Sequence, residues 1–190
     1  MQRTGRWFLL AIGFLAVSQL WGQDTSVSIP TENGSADTIT LHVGDLAPSW
    51  AIMKAPGKFE FSRNWTVERG KPLRKPQTQP KRHVVVMSFF ATWCKPCMKE
   101  LPHLQKVYES FQGQDVKFFL VDITEATRNT KGFEDSPKAK PFLAKKGVTM
   151  QILYDTRGMT KKKYGVETLP RLFIIDKYQT IRLIKHGFHD

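Results

Sequence analysis

The sequence predicts an α/β fold in which a central mixed β-sheet is flanked by helices, and three observations lead to this prediction. Apolar runs of strand length occur at 84–90 and 116–122, and a segment with helical spacing of apolar residues lies between them. Strand and helix patterns alternate from 84 to 154, which implies parallel strands joined by right-handed crossovers. The last two strand patterns, at 172–176 and 180–184, flank a short turn and are typical of an antiparallel pair.

The first 22 residues have the pattern of an export signal. Two positive charges, at Arg3 and Arg6, precede an apolar run at 7–20 that is shorter than a comfortable membrane span. Bulky residues just before Gly22 disfavour cleavage there, so a removed signal peptide and an uncleaved N-terminal anchor both stay open. Either form predicts a bacterial periplasmic protein, which is soluble in the first case and tethered to the membrane through 7–20 in the second.

The predicted domain occupies residues 41–190 and follows a polar, flexible spacer at 23–40. Short apolar runs between 41 and 61 predict an N-terminal β-hairpin. The segment 69–83 contains six lysines and arginines, three prolines and no acidic residue, and it predicts an exposed loop. We interpret this loop either as a docking surface for an acidic partner or lipid headgroups, or as a solubilising insertion.

The elements of the sheet region follow from the apolar pattern. The run at 84–90 is rich in β-branched residues, as expected for a strand buried on both faces. Helical spacing after the cysteines predicts a helix that ends at Gly113. Downstream, the pattern predicts a polar loop at 124–136, an amphipathic helix at 137–146, a strand at 151–154 and a helical turn at 159–164.

The chain is strongly basic, with a formal net charge of +12. This balance favours acidic partners or anionic membrane surfaces. Nucleic acid is not expected as a partner, because the chain combines an export pattern with no nucleic-acid-binding motif.

The two cysteines lie together as Cys94-Lys95-Pro96-Cys97, at the start of the predicted helix. A cysteine at this position faces unpaired backbone N–H groups and the positive end of the helix dipole, which stabilise a thiolate. Such a pair is suited to exchange disulfides. Two alternatives stay open: zinc, for which the scattered histidines offer no ligand pair, and a structural disulfide, which stabilises little across so short a loop.

Three motifs resemble the TlpA/ResA-like branch of the thioredoxin superfamily. They are Phe89-Phe-Ala-Thr-Trp-Cys-Lys-Pro-Cys-Met-Lys-Glu-Leu-Pro102, then Tyr164-Gly-Val-Glu-Thr-Leu-Pro170 with Phe173-Ile-Ile-Asp176, and upstream Val43-Gly-Asp-Leu-Ala-Pro48. The resemblance implies a thioredoxin fold with an added N-terminal β-hairpin and an insertion before the proline loop. It also implies an exported thiol-disulfide oxidoreductase that reduces disulfides in partner proteins, in several members during cytochrome c assembly. A membrane-bound or periplasmic thiol would supply the electrons.

The resemblance assigns roles to the residues around the cysteines. Cys94 matches the exposed nucleophile that attacks a partner disulfide, and Cys97 matches the buried cysteine that resolves the mixed disulfide. Trp93 matches the aromatic residue that packs beside the site. Pro170 matches a cis-proline that faces the cysteines, and its cis bond would expose the backbone of Leu169 to an extended substrate segment.

Three more residues are expected at the substrate groove. Lys95 and Pro96 lie between the cysteines, and the positive charge of Lys95 would favour the thiolate and make the pair somewhat more oxidising. Arg171 stands where the family usually has threonine, and we expect it to add positive charge at the groove.

Glu100 matches an acidic residue near the active site of ResA-like members. As a partly buried carboxylate on the same helix face as Cys97, it would raise the thiol pKa values and shuttle a proton. The alternative is a surface charge that favours the first helical turns. Ser88 stands where thioredoxins have a buried aspartate, so Glu100 is expected to take over its proton transfer.

No metal and no cofactor are expected beyond the redox-active pair itself. Two other functions stay open: a copper-binding, metallochaperone-like protein with His186 as a distant ligand, and a thiol peroxidase, for which Thr92 precedes Cys94 at an unusual spacing. Thioredoxin folds normally end in a helix. The residues after 184 do not predict one, so we expect the C-terminal helix to be missing.

Overall fold

The computed structural model describes residues 39–72 and 81–188. The predicted signal or anchor at 1–22, nearly all of the spacer at 23–40 and the centre of the basic loop lie outside these residues. The described residues belong to one compact unit. Within them, no helix has the length and apolar character needed to cross a membrane.

Seven strands of the described chain form one mixed sheet in the order β2-β1-β5-β4-β3-β6-β7. The parallel centre consists of β3, β4 and β5, while β6 and β7 add antiparallel strands on one side and the N-terminal hairpin adds β1 and β2 on the other. The strands are β1 (Ala51–Ala55), β2 (Lys58–Phe61), β3 (Val84–Phe90), β4 (Val116–Asp122), β5 (Gln151–Tyr154), β6 (Arg171–Ile175) and β7 (Ile181–His186). The sheet confirms the predicted hairpin, parallel centre and antiparallel end.

The helices connect and cover this sheet. They are α1 (Lys95–Ser110), α2 (Thr124–Thr127), α3 (Ala139–Ala144) and α4 (Met159–Lys163), with a short 3-10 helix at Ser62–Asn64. On α1 the buried residues recur one turn apart, so one face of the helix packs on the sheet. Among the described residues, β7 is the last regular element.

Two predicted segments differ from the structure. The polar loop at 124–136 begins with one helical turn, α2, because the Asp122 carboxylate accepts the N–H of Thr124 and so satisfies a free donor at its start. The helix predicted at 137–146 is shorter, because Pro141 lacks an N–H and is tolerated only in the first turn of α3.

Strand direction brings several chain segments to one edge of the sheet. The parallel strands β3 and β4 end there side by side, with Phe90 paired to Asp122. The antiparallel strand β6 begins at the same edge, where Arg171 pairs with Phe89. The loop from β3 to α1, the start of the 124–137 segment and the loop before β6 therefore meet at this edge.

An aromatic cluster fixes the two strands that carry the site. The rings of Phe89 and Phe173 lie 5.9 Å apart, and Tyr164 contacts both at 5.7 and 5.0 Å. The Tyr164 hydroxyl donates to the Pro48 carbonyl at 2.8 Å, which ties the segment before β1 to the cluster. The next residue, Gly165, has a φ of +57°, and a Cβ atom built there would lie 1.8 Å from the carbonyl oxygen of Ile39.

Candidate active site

Cys94 and Cys97 open α1 and are joined by a disulfide. Cys94 is the N-cap residue, and its Sγ accepts the N–H of Cys97 at 3.2 Å. Pro96 lies in the first turn, where its missing N–H removes no helical hydrogen bond. The predicted placement at a helix N-terminus is confirmed, and Cys94 Sγ lies where backbone donors and the helix dipole stabilise negative charge.

Cys94 is more buried than expected for the exposed nucleophile. Its exposed fraction is 3%, against 1% for Cys97, while Lys95 and Pro96 between them are exposed. Both cysteines belong to the hydrophobic core, and the disulfide joins them within the first turn of α1. The buried site of Cys97 is as predicted.

Pro170 lies at the same edge of the sheet as the cysteine loop, directly before β6. The peptide bond between Leu169 and Pro170 is cis, as the resemblance implies. The Pro170 carbonyl accepts the N–H of Gly187 at 2.9 Å, and Leu169 packs partly buried against the core. The structure thus brings the proline loop and the cysteines to one end of β3, as expected.

Glu100 is a buried carboxylate on the face of α1 that carries Cys97. Its exposed fraction is 5%, so the surface-charge alternative is wrong. Ser88, on β3, donates its hydroxyl to Glu100 Oε2 at 3.2 Å. Burial raises the pKa of Glu100, and this rise is only partly opposed by the Ser88 hydrogen bond and the charge of Lys185. Glu100 therefore keeps its proton to a higher pH than an exposed glutamate does.

Arg171 does not present an exposed charge at the groove. Its exposed fraction is 8%, its guanidinium contacts Nδ1 of His186 on β7, and it lies 5.7 Å from the centre of the Phe173 ring. The strand pattern explains the difference, because paired Phe89, Arg171 and His186 share one face of the sheet, which Phe89 and Phe173 fill with aromatic side chains. Burial and Arg171 both lower the pKa of His186.

Trp93, directly before Cys94, is held by the segment after β4. Its Nε1 donates to Thr127 Oγ1 at 2.9 Å. Its ring stacks on Phe133 with 4.0 Å between centroids and 9° between planes. The sequence predicted that Trp93 packs beside the site but missed Phe133. The available signal was weak: a single large aromatic residue in an otherwise polar loop.

Asp122 is a second buried carboxyl group that the sequence did not single out. Its exposed fraction is 4%, and Oδ1 accepts both the N–H of Thr124, at 2.9 Å, and the Thr124 hydroxyl. Thr124 Oγ1 in turn accepts the N–H of Thr92 at 3.0 Å. Burial raises the pKa of Asp122, and the two bonds from Thr124 oppose the rise. This carboxyl group is thus linked to the turn that positions Cys94.

Within 39–72 and 81–188, no group of three or more histidine, cysteine, aspartate or glutamate side chains is arranged to hold a metal ion. His186, the ligand of the copper alternative, has its Nδ1 engaged by the Arg171 guanidinium. Thr92, the residue considered for a peroxidase, donates its hydroxyl to the Pro137 carbonyl at 2.8 Å.

Comparison with known proteins agrees with the geometry of this site. Residues 43–184 match the AhpC/TSA family. The chain is 27% identical over 179 residues to the thiol-disulfide oxidoreductase ResA of Geobacillus thermodenitrificans, which covers 94% of this chain and 81% of that protein. It is 30% identical over 142 residues to ResA of Bacillus thuringiensis, which covers 75% of this chain and 68% of that protein. Several other ResA sequences match over about half of their own length.

The fold is similar to a solved structure as well. The crystal structure of StoA from Bacillus subtilis superposes with a TM-score of 0.52 and 22% sequence identity, covering 75% of this chain and 90% of that one. At this identity the likeness bears on the fold, and it agrees with the predicted thioredoxin fold.

Proposed function

Since the chain belongs to the AhpC/TSA family and is a thiol-disulfide oxidoreductase of the ResA type, we propose that it is exported and reduces disulfides in partner proteins through Cys94 and Cys97. The observation that carries this proposal is the place of Cys94 as the N-cap of α1, where Sγ accepts the N–H of Cys97. That hydrogen bond and the helix dipole favour a thiolate at the first cysteine rather than the second.

The proposed reaction exchanges one disulfide for another. The Cys94 thiolate attacks one sulfur of the partner disulfide, a mixed disulfide forms, and the other partner sulfur leaves as a thiolate that takes up a proton. Cys97 then loses its proton and attacks Cys94 Sγ, which breaks the mixed disulfide and releases the second partner thiolate. The partner gains two electrons and the enzyme ends as the disulfide seen in the structure.

Glu100 is proposed as the acceptor of the Cys97 proton. It lies three residues after Cys97 on the buried face of α1 and carries a raised pKa because of burial. A group that binds a proton more firmly than an exposed carboxylate is a better base for a thiol. Its hydrogen bond from Ser88 orients the carboxylate toward the strand that leads to the cysteines.

The substrate groove is proposed between the cysteine loop and the proline loop. Trp93, Lys95 and Pro96 border Cys94 on one side, and Leu169 and Pro170 lie at the same sheet edge. An extended partner segment would pair with the Leu169 backbone while its cysteine reaches Cys94. Arg171 contributes less than expected, because its guanidinium is buried against His186.

The proposals of export, of an electron donor and of a substrate class rest on the sequence. The charged start and apolar run at 7–20 support delivery to the periplasm, as a soluble or tethered protein. In an oxidising compartment a reductant must be re-reduced, so we propose a membrane-bound or periplasmic thiol protein as the electron donor. Proteins undergoing cytochrome c maturation are the proposed substrates, by analogy with the members of the TlpA/ResA-like branch that act during cytochrome c assembly.

The test is covalent trapping with full-length protein in the native host. Cys97→Ser cannot resolve the mixed disulfide, so it should accumulate adducts that dithiothreitol releases and mass spectrometry identifies. The matched control is the double variant Cys94→Ser/Cys97→Ser, which lacks the nucleophile and should give no adduct. Adducts of equal yield in both variants, or none in either, would reject Cys94 as the group that attacks protein disulfides.

A further inference from the structure

The segment 124–137, which we call the clasp, holds the two residues before Cys94. The N–H of Thr92 donates to Thr124 Oγ1 at 3.0 Å, and the Thr92 hydroxyl donates to the Pro137 carbonyl at 2.8 Å. The two ends of the clasp therefore bind the same residue. Between them, the Trp93 side chain meets Thr127 by a hydrogen bond and Phe133 by stacking.

Arg128 gives the clasp its shape. Its guanidinium binds both carboxylate oxygens of Glu125 at 2.8 and 2.7 Å, and it also donates to the carbonyls of Glu134 at 2.5 Å and Ser136 at 3.0 Å. These acceptors lie on both sides of Phe133 in the chain. A bidentate pair combined with two backbone contacts fixes the part of the clasp after α2, which has no regular secondary structure.

The stacked rings of Trp93 and Phe133 form a partly exposed aromatic pair next to the cysteine loop. Trp93 and Phe133 are each partly exposed, so the stack buries one face of each ring and leaves apolar surface in contact with solvent. Aromatic side chains held in place bind other apolar groups at low entropic cost, because few of their torsions remain to be fixed. Stacking against Phe133 and hydrogen bonding to Thr127 hold Trp93 in this way.

We propose that Phe133 is a specificity-determining residue, and that the Trp93–Phe133 stack binds an aromatic or large aliphatic side chain adjacent to the target cysteine of the substrate. This inference rests on the proposed function, in which Cys94 attacks a protein disulfide. Trp93 directly precedes Cys94 in the chain, which places its ring beside the path of a residue that flanks the attacked disulfide. The clasp thereby selects disulfides in apolar sequence contexts.

The test compares two peptides of equal length, each with one intramolecular disulfide, that differ only in a phenylalanine or a serine next to the attacked cysteine. Chemically reduced full-length protein is mixed with each peptide and the second-order rate constant of reduction is measured. The phenylalanine peptide should react about three- to tenfold faster. In Phe133→Ala this ratio should fall to within about twofold of one, through slower reaction of the phenylalanine peptide alone.

Three variants separate recognition from a structural role. Phe133→Tyr keeps the stack and should keep the ratio. Phe133→Leu keeps the apolar volume but removes the aromatic stack, and it replaces Phe133→Ala as the test if that variant does not fold. The rate ratio of Phe133→Leu should drop to less than half of the parent's ratio. Phe59→Ala removes an exposed phenylalanine on β2 and should leave the ratio unchanged.

The outcomes are distinct. A parent protein that reduces both peptides at one rate, or a Phe133→Ala variant that slows both equally, overturns the recognition role and leaves the proposed function standing. A parent protein that reduces neither peptide overturns the proposed function itself, and the inference with it.

Discussion

The two sides of the active-site loop hold buried carboxyl groups in different ways. On the helix side, Glu100 receives one side-chain hydrogen bond, from Ser88 at 3.2 Å. On the clasp side, Asp122 receives two bonds from Thr124, through its N–H and its hydroxyl, and Thr124 passes the connection on to the Thr92 backbone. Burial raises the pKa of both groups.

The difference separates a group placed to exchange a proton from one placed to hold the backbone. A carboxylate with a single weak hydrogen-bond partner can change its protonation with little structural cost. A carboxylate whose hydrogen bonds hold a turn in place is needed to keep the backbone of that turn in position. Equal burial therefore does not imply equal roles. Substitutions at Glu100 and Asp122 should separate these two roles.

Asp122→Ala should destabilise the oxidised protein by about 2–3 kcal/mol, because the N–H and the hydroxyl of Thr124 lose a buried acceptor. Glu100→Ala should cost only about 1 kcal/mol, since it removes one hydrogen bond together with a desolvated charge. Denaturant unfolding at pH 7 measures both. Asp115→Ala, at an exposed aspartate, is the control and should stay within about 0.5 kcal/mol. Equal losses at Glu100 and Asp122 would remove the distinction between the two sides.

Glu100→Gln should slow resolution of the mixed disulfide by at least about tenfold, because Cys97 loses its proton acceptor while the shape of the side chain is kept. Asp122→Asn should change the same rate by less than about threefold. Stopped-flow decay of a mixed disulfide between Cys94 and a labelled peptide measures the step. The reverse ranking would make Asp122 the proton acceptor and contradict the assignment of Glu100.

The raised pKa values predict the sign of the pH dependence of stability. For Glu100 the folded pKa lies above the ordinary 4.5, so its favourable contribution is complete below that pH and is lost as pH rises through the folded pKa. Glu100→Gln should therefore gain stability relative to the parent as pH rises above about 4.5. Asp176, whose pKa is lowered overall although burial opposes this, has the opposite sign.

The favourable contribution of Asp176 to folding stability is present above its ordinary pKa and is lost as pH falls through its pKa in the folded protein. Asp176→Asn should therefore be less stable than the parent at pH 7 and should approach the stability of the parent in acid. Thermal unfolding of the oxidised protein between pH 3 and 8, where the cysteines do not titrate, checks both signs. A flat difference curve for Glu100→Gln would mean that the buried carboxyl group titrates like an exposed one.

Lys95→Ala should have the smallest effect, since this exposed charge belongs to neither side. Without the Lys95 charge the Cys94 thiolate is less stabilised, so the reduction potential of the Cys94–Cys97 pair should fall by ~10–20 mV. Equilibration in glutathione buffers measures this potential. Lys106→Ala, at an exposed lysine further along α1, should leave the potential unchanged within error. A rise in potential for Lys95→Ala would reverse the proposed influence of the charge.

Local sequence patterns were sufficient for much of the fold and for the reactive pair. The strands at 84–90 and 116–122 were predicted to the residue, because most of their residues are apolar and each run has the length of a strand. Cys94, Cys97 and Pro170 were identified because each lies in a compact motif. These features depend on residues that are close together in the sequence.

The missed features depend on contacts between distant parts of the chain. Phe133 stacks on Trp93 across 40 positions, and Asp122 acts through Thr124 on Thr92, so neither forms a local motif. The burial of Arg171 likewise results from pairing with Phe89 and His186 on neighbouring strands. A single sequence gives spacing along one strand but not the identity of the neighbouring strand.

The contact at Gly165 has a consequence for the mutational tolerance of the chain. Several other glycines with positive φ, such as Gly113 and Gly147, have open space where a Cβ would lie, so replacements there meet only backbone strain. At Gly165 even alanine would collide with the Ile39 carbonyl, 1.8 Å from the new carbon. In a saturation scan this partly exposed position should therefore be as restrictive as the centre of the core. Any library built on this scaffold should keep it as glycine.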